Sequence, residues 1–174
     1  MAERKGGLLL AELALFGILG GLTFGMKVVM APLPNIEPVS LMVMLFAVTF
    51  GWKALYPIYV YVLLEFLLYG FNLWSVNYLY IWLILAVGAW LMREASHPLA
   101  WALLSGGFGL LFGALCAPVD VFVGGFGYAA ARWVSGIPYD LLHGAGNFVI
   151  ALVLFVPLRR LMDRLYQSLR NNHR

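Results

Sequence analysis

Asp140, His143 and Asn147 are spaced three and four residues apart, so a helix would carry all three on one face. Their surroundings are apolar. An ionisable group at the centre of a bilayer costs at least a few kcal/mol, so each one is a candidate for function. The same logic singles out Glu65 inside an apolar run and Lys27 near the end of another. Asn35 and Glu37 stand between two apolar runs. Asn72, Trp74 and Asn77 stand between the next two, and Asp120 and Arg132 lie in a glycine-rich stretch. With the topology given below, these residues fall toward the outer membrane face. A one-sided layer of carboxylates, amides, imidazole and indole suits an outward-facing pocket for a small polar molecule.

Catalytic chemistry is less well served. Ser105 and Ser135 each precede a glycine, but Ser105 is expected on the inner half of its helix and His143 on the outer half of another. A Ser–His pair needs hydrogen-bond reach. The single cysteine, Cys116, excludes an internal disulfide framework and a Cys-rich zinc site. The chain is therefore read as a binding protein, with no catalytic residue, no metal site and no cofactor.

Structural roles compete with these readings. Trp74, Trp133, Tyr78 and Tyr139 also suit an interfacial aromatic belt. Asp120 and Arg132 suit an ion pair that staples a loop. Glu37 suits a solvated position, and Asp140 a helix N-terminus favoured by the dipole. Lys27 and Glu65 suit a pair that glues two helices. Glu12 lies too near the inner surface to line the pocket and suits snorkelling or a partner contact.

The elements that position these residues are membrane spans. Of the 174 residues, 63% are hydrophobic and 11% are charged. An ordinary soluble domain is roughly 45–50% apolar and about 25% charged, so a soluble fold of this length could not hide the excess. A span needs about 20 apolar residues. Helix 1 is expected over about Leu8–Val29, in an apolar run that reaches Met30; this exceeds the roughly 7–15 residues of a signal-peptide core and reads as a retained helix. Ala31-Pro32-Leu33-Pro34-Asn35 stops it. The run Val39–Phe71 is too long for one span and is divided at Gly51-Trp52-Lys53. Helix 4 is expected over Tyr78–Met92, helix 5 over Leu99–Ala117 with a stop at Pro118, and helix 6 over Tyr139–Leu158. Val119–Gly136 reads as a structured outer loop. Residues 1–174 thus form a single all-α domain, a polytopic bundle of six transmembrane helices.

Basic residues set the orientation. Arg4, Lys5, Lys53, Arg93, Arg159, Arg160, Arg164, Arg170 and Arg174 fall on one side, leaving only Lys27 and Arg132 of the 11 Lys and Arg on the other. This is the positive-inside pattern, with both termini cytoplasmic and the chain multi-pass in the cell membrane. The net charge of +3 is too small and too scattered for nucleic acid. Helix 1 also carries Gly17, Gly21 and Gly25 at intervals of four, a stripe that lets another helix come close. Either a partner subunit or the chain's own helices, with Gly106, Gly109 and Gly113 as a surface, suits it.

The segment Leu33-Pro34-Asn35-Ile36-Glu37-Pro38-Val39-Ser40 resembles the first outer loop of substrate-binding (S) components of energy-coupling factor transporters, a class of ATP-binding-cassette transporter. Phe50 to Tyr56, Glu65 to Gly70, Gly109 to Ala117 and Ser135 to Asp140 resemble the same family, so the likeness covers nearly the whole chain. It implies a six-helix, non-enzymatic protein that captures a vitamin or related micronutrient at the outer face. It implies docking, through helix 1, on a membrane coupling subunit and two ATPase subunits. It also implies that Asn35, Glu37, His143 and Asn147 help line the ligand site. The family often carries Ala-x-x-x-Ala on helix 1, where this chain has the glycines. The chain has no Gly-x-x-x-x-Gly-Lys-[Ser/Thr] loop, so ATP hydrolysis would come from a partner. Glu37, Glu65, Asp120 and Asp140 favour a ligand with cationic or donor groups, and the aromatic residues favour a flat ring. The rival reading is a proton-coupled secondary carrier with Glu65 as the proton site, although no inverted repeat is evident.

Overall fold

The computed structural model describes residues 10–33 and 35–171, and everything below concerns those residues. They are helical throughout, with no strand. The elements are α1 (Leu10–Met30), α2 (Val39–Phe50), a 3-10 turn (Gly51–Ala54), α3 (Leu55–Tyr69), α4 (Leu73–Leu91), α5 (Pro98–Leu110) and α6 (Phe112–Asn171).

Side-chain contacts give the direction of each helix. Glu12 at the start of α1 meets Lys53 just before α3, and Lys27 at the end of α1 meets Glu65 near the end of α3. The two helices therefore run parallel. Phe50 at the end of α2 packs on Phe16 near the start of α1, so α2 runs the other way. The reversal falls at Gly51, whose φ of +58° is a conformation that glycine adopts without strain. The division expected at Gly51 coincides with this turn. Along α6, Gly113 meets Asp140, Trp101 meets Phe155, and Arg159 reaches the Ala95 carbonyl. Residues 126–171 thus run antiparallel to α5 and to residues 112–124.

Glycines bring α5 and α6 together. A Cβ on Gly109 would lie 2.8 Å from the backbone nitrogen of Gly144, and one on Gly106 would lie 3.0 Å from the Phe148 side chain. Gly106, Gly109 and Gly113 therefore face α6, not α1. The core holds Trp82, Trp101, Tyr61, Phe46 and Phe155. The outside is apolar as well, with Phe122 and Phe126 at 93% and 83% exposure among many large side chains. Apolar residues both inside and out mark a protein whose solvent is lipid.

Four helical stretches are long and apolar enough to cross a membrane: Leu10–Met30, Val39–Tyr69, Leu73–Leu91 and Pro98–Asn171. The count is four where the sequence reading has six; two of the four stretches, Val39–Tyr69 and Pro98–Asn171, hold a residue with non-helical backbone, Gly51 and Gly125.

The C-terminal half departs most from expectation. The helix expected to stop at Ala117 before Pro118 instead breaks at Leu111 and resumes at Phe112. The outer loop expected over Val119–Gly136 is helix, interrupted at Gly125 alone, where φ is +79°. Pro118, Pro138 and Pro157 all sit inside α6, which runs on to Asn171 instead of Leu158. Glycine and proline end helices in water because freed backbone groups find water. In lipid an unsatisfied backbone group costs several kcal/mol, so the helix persists.

Candidate functional site

A cavity of about 450 Å³ lies at the end of the bundle where α1 and α3 finish and α2 and α4 begin. The connection between α1 and α2 forms one wall, with Leu33, Asn35, Ile36 and Glu37. Asn35 takes a left-handed conformation, φ +57°, and its Nδ2 donates to the carbonyl of Tyr139 at 3.1 Å. That bond pins the connection to α6 and turns Glu37 toward the cavity.

Lys27 and Glu65 form the floor. The ammonium lies 2.6 Å from Glu65 Oε2 and donates to Tyr78 Oη at 3.3 Å. It also stands over the rings of Tyr78, Tyr69 and Tyr61 at 5.1, 5.6 and 6.0 Å. Glu65 is buried, and its other oxygen, Oε1, has no hydrogen-bond partner among the described residues. The Glu37 carboxylate likewise makes no hydrogen bond or ion pair there. Glu37 lies outside the helices. Burial pushes its carboxyl group above the usual range, nearby Lys27 pulls it back, and Glu65 pushes it up again.

The start of α4 closes the cavity. Asn72 Oδ1 accepts from the backbone N–H groups of Trp74 and Ser75 at 2.9 and 3.3 Å, and Ser75 Oγ accepts from the Asn72 N–H at 3.1 Å. This reciprocal capping engages the Asn72 side chain. Trp74 is half exposed on the cavity wall and stacks on Phe112 at 6.5 Å.

Asn35, Glu37, Glu65, Asn72 and Trp74 are thus brought together, while the other candidates lie elsewhere. Asn77 is buried, its Oδ1 3.0 Å from Tyr80 Oη, which also donates to the Leu115 carbonyl. Asp120 meets Arg132 at 3.5 Å across the α6 turn, and Arg132 donates to Tyr128 Oη. Asp140 accepts from the N–H of Gly113 at 3.1 Å, where α6 resumes after its break. His143 packs its ring on Phe112 at 4.9 Å. Asn147 Nδ2 donates to Ser40 Oγ at 2.9 Å and to the Ser105 carbonyl at 3.3 Å. The face carrying 140, 143 and 147 is the face that packs on α5 and α2.

The cavity also uses Tyr69, Ser75, Leu33 and Ile36, which sequence reasoning did not select as ligand residues. Tyr69 was findable, since it follows Glu65 by four and shares its helix face. Lys27 was singled out both as a candidate for function and as a structural partner of Glu65, and Tyr78 as an interfacial aromatic.

Neither serine pairs with His143. Ser105 Oγ and His143 Nε2 have no hydrogen-bond partner among the described residues, and Ser135 Oγ donates to the Arg132 carbonyl. No group of His, Cys, Asp or Glu among the described residues could hold a metal ion. On α1, a Cβ at Gly17, Gly21 or Gly25 would meet nothing within 4 Å, so the stripe faces away from the bundle. Gly20 faces inward instead, where a Cβ would lie 2.6 Å from Val60 and 2.7 Å from the Pro57 carbonyl. Compared with protein-family models, curated proteins and solved structures, the chain matches none of them.

Proposed function

We propose that this chain is the membrane-embedded substrate-binding component of an energy-coupling factor transporter, capturing a vitamin or related micronutrient for ATP-driven uptake. The observation that carries this reading is the cavity itself: a site of about 450 Å³, in the roughly 300–1,000 Å³ class of small-molecule pockets, with the carboxylates of Glu37 on its wall and Glu65 on its floor. Six passes that alternate in direction along the chain are consistent with α1 and α3 running parallel, α2 opposite to them, and residues 126–171 opposite to α5. Lys53, Arg93 and Arg159 lie at the end of the bundle away from the cavity, which supports a cavity opening to the outside and termini in the cytoplasm. The bare glycine stripe on α1 suits the approach of a coupling subunit's helix.

The test is purification in lipid nanodiscs, mass spectrometry of any retained small molecule, and titration with a vitamin panel. A retained or titrated micronutrient whose affinity falls on Glu37→Gln supports the reading; an empty protein that binds nothing in the panel counts heavily against it. The buried Lys27–Glu65 pair favours the carrier reading more than any other observation. Uptake that stops when the proton gradient collapses at constant ATP would select it.

A further inference from the structure

The charges around the cavity do not balance. Lys27 is the one cationic side chain lining it, and Glu37 and Glu65 are the two acidic ones. Lys27 is already engaged, 2.6 Å from Glu65 Oε2 and enclosed by three tyrosine rings. One carboxylate's worth of negative charge is left without a counterion. It is presented by Glu37, whose carboxylate makes no hydrogen bond or ion pair among the described residues; beneath it the Glu65 side chain is more than nine-tenths buried, with its Oε1 enclosed and without a partner among those residues. A buried charge without a partner is costly, and the site is relieved when a cation arrives.

The walls indicate the shape of that cation. Trp74 lines the cavity half exposed, and its ring stacks on Phe112 at 6.5 Å. Tyr69 and Tyr78 add further ring surface. Indole and phenol faces favour flat rings and positive charge.

We propose that the cavity selects a flat, singly cationic ligand: a ring carrying a protonated amine or a protonated ring nitrogen. The charged group lies against the Glu37 carboxylate, above the buried Lys27–Glu65 pair, and the ring lies against Trp74. This rests on the capture function proposed above and narrows it to one ligand class. Anionic vitamins would have to displace Glu65 from Lys27, and large uncharged ones would leave the carboxylates unpaired.

Three indoles of matched size test it: tryptamine, cationic; 3-ethylindole, neutral; and indole-3-propionate, anionic. Each is titrated calorimetrically into nanodisc-held protein, with empty nanodiscs as the blank, and the retained molecule is identified by mass spectrometry. The expected result is tryptamine binding at least about tenfold tighter than the other two. Glu37→Gln should lower tryptamine affinity about 10- to 100-fold, the size of a lost hydrogen bond to a charged group, and leave 3-ethylindole unchanged. Trp74→Ala provides a second variant that should weaken both. Equal affinities, or a preference for indole-3-propionate, overturn the proposal. So does a retained molecule that is anionic or uncharged, and in that case the capture function stands while the ligand class falls. If nothing is retained and no indole and no vitamin binds, the capture function itself falls, and the ligand class with it.

Discussion

Asn147 of α6 donates at 2.9 Å to the hydroxyl of Ser40, 107 residues earlier on α2, and at 3.3 Å to the carbonyl of Ser105 on α5. One buried amide therefore joins three helices. Asn147→Ala should leave Ser40 without that partner and lower stability by about 1–3 kcal/mol. Ligand affinity of the protein that stays folded should change less than twofold, because Asn147 does not line the cavity. Thermal unfolding and calorimetry on the same preparation check this. A large affinity loss without a stability loss would put Asn147 back in the ligand site.

Lys27 and Glu65 are both largely buried, so removing one leaves the other without its counterion. Lys27→Met and Glu65→Gln should each cost about 3–5 kcal/mol, and the double variant should cost less than the sum of the singles. Denaturation in a fixed lipid composition gives the three values. Additive losses would show that the two groups do not act as a pair.

Gly20 and Gly21 are neighbours on α1 with opposite surroundings. Gly20→Leu must displace Val60 and the Pro57 carbonyl, and should cost at least about 1–3 kcal/mol. Gly21→Leu meets nothing within 4 Å, so stability and ligand binding should hold. If the stripe receives a coupling subunit, cellular uptake by Gly21→Leu should still fall sharply. Normal uptake would remove the stripe from docking.

The raised carboxyl pKa of Glu37 gives ligand binding a pH dependence. Below that pKa the group is protonated and cannot pair with a cation. Above it the carboxylate is present. Affinity for tryptamine should therefore rise with pH through a midpoint above the ordinary glutamate value of about 4.3, and Glu37→Gln should flatten that rise. A profile unchanged by Glu37→Gln would assign the titration to another group.

Much of this was legible in the sequence. Excess apolar residues required lipid, and a run too long for one span with a central Gly51 marked a reversal. The Leu33–Ser40 segment, singled out for Asn35 and Glu37, forms a wall of the cavity. Asn72-x-x-Ser75 was readable as a capping box ahead of an apolar run. What stayed hidden has physical causes. The 119–136 stretch looked like a loop because it is rich in glycine and flanked by Pro118 and Pro138, yet only Gly125 departs from helical backbone there. Asp140, His143 and Asn147 were rightly placed on one face, but helix periodicity does not say which neighbour that face meets. Here Gly106, Gly109 and Gly144 decide, since their missing side chains draw α5 onto that face and away from the cavity.

The two ion pairs between α1 and α3 have opposite polarity. Glu12 meets Lys53 at one end, and Lys27 meets Glu65 at the other. The charges of α1 match its own dipole, acidic first and basic last, while those of α3 are reversed. Each helix thus reads the other as a template. Inverting either one would set carboxylate against carboxylate and ammonium against ammonium. A shift by a turn would separate Lys27 from Glu65 and Lys53 from Glu12. Apolar surfaces discriminate poorly between helix and lipid, so these four charges favour the parallel register of α1 and α3 that sets Lys27 beside Glu65 on the floor of the cavity.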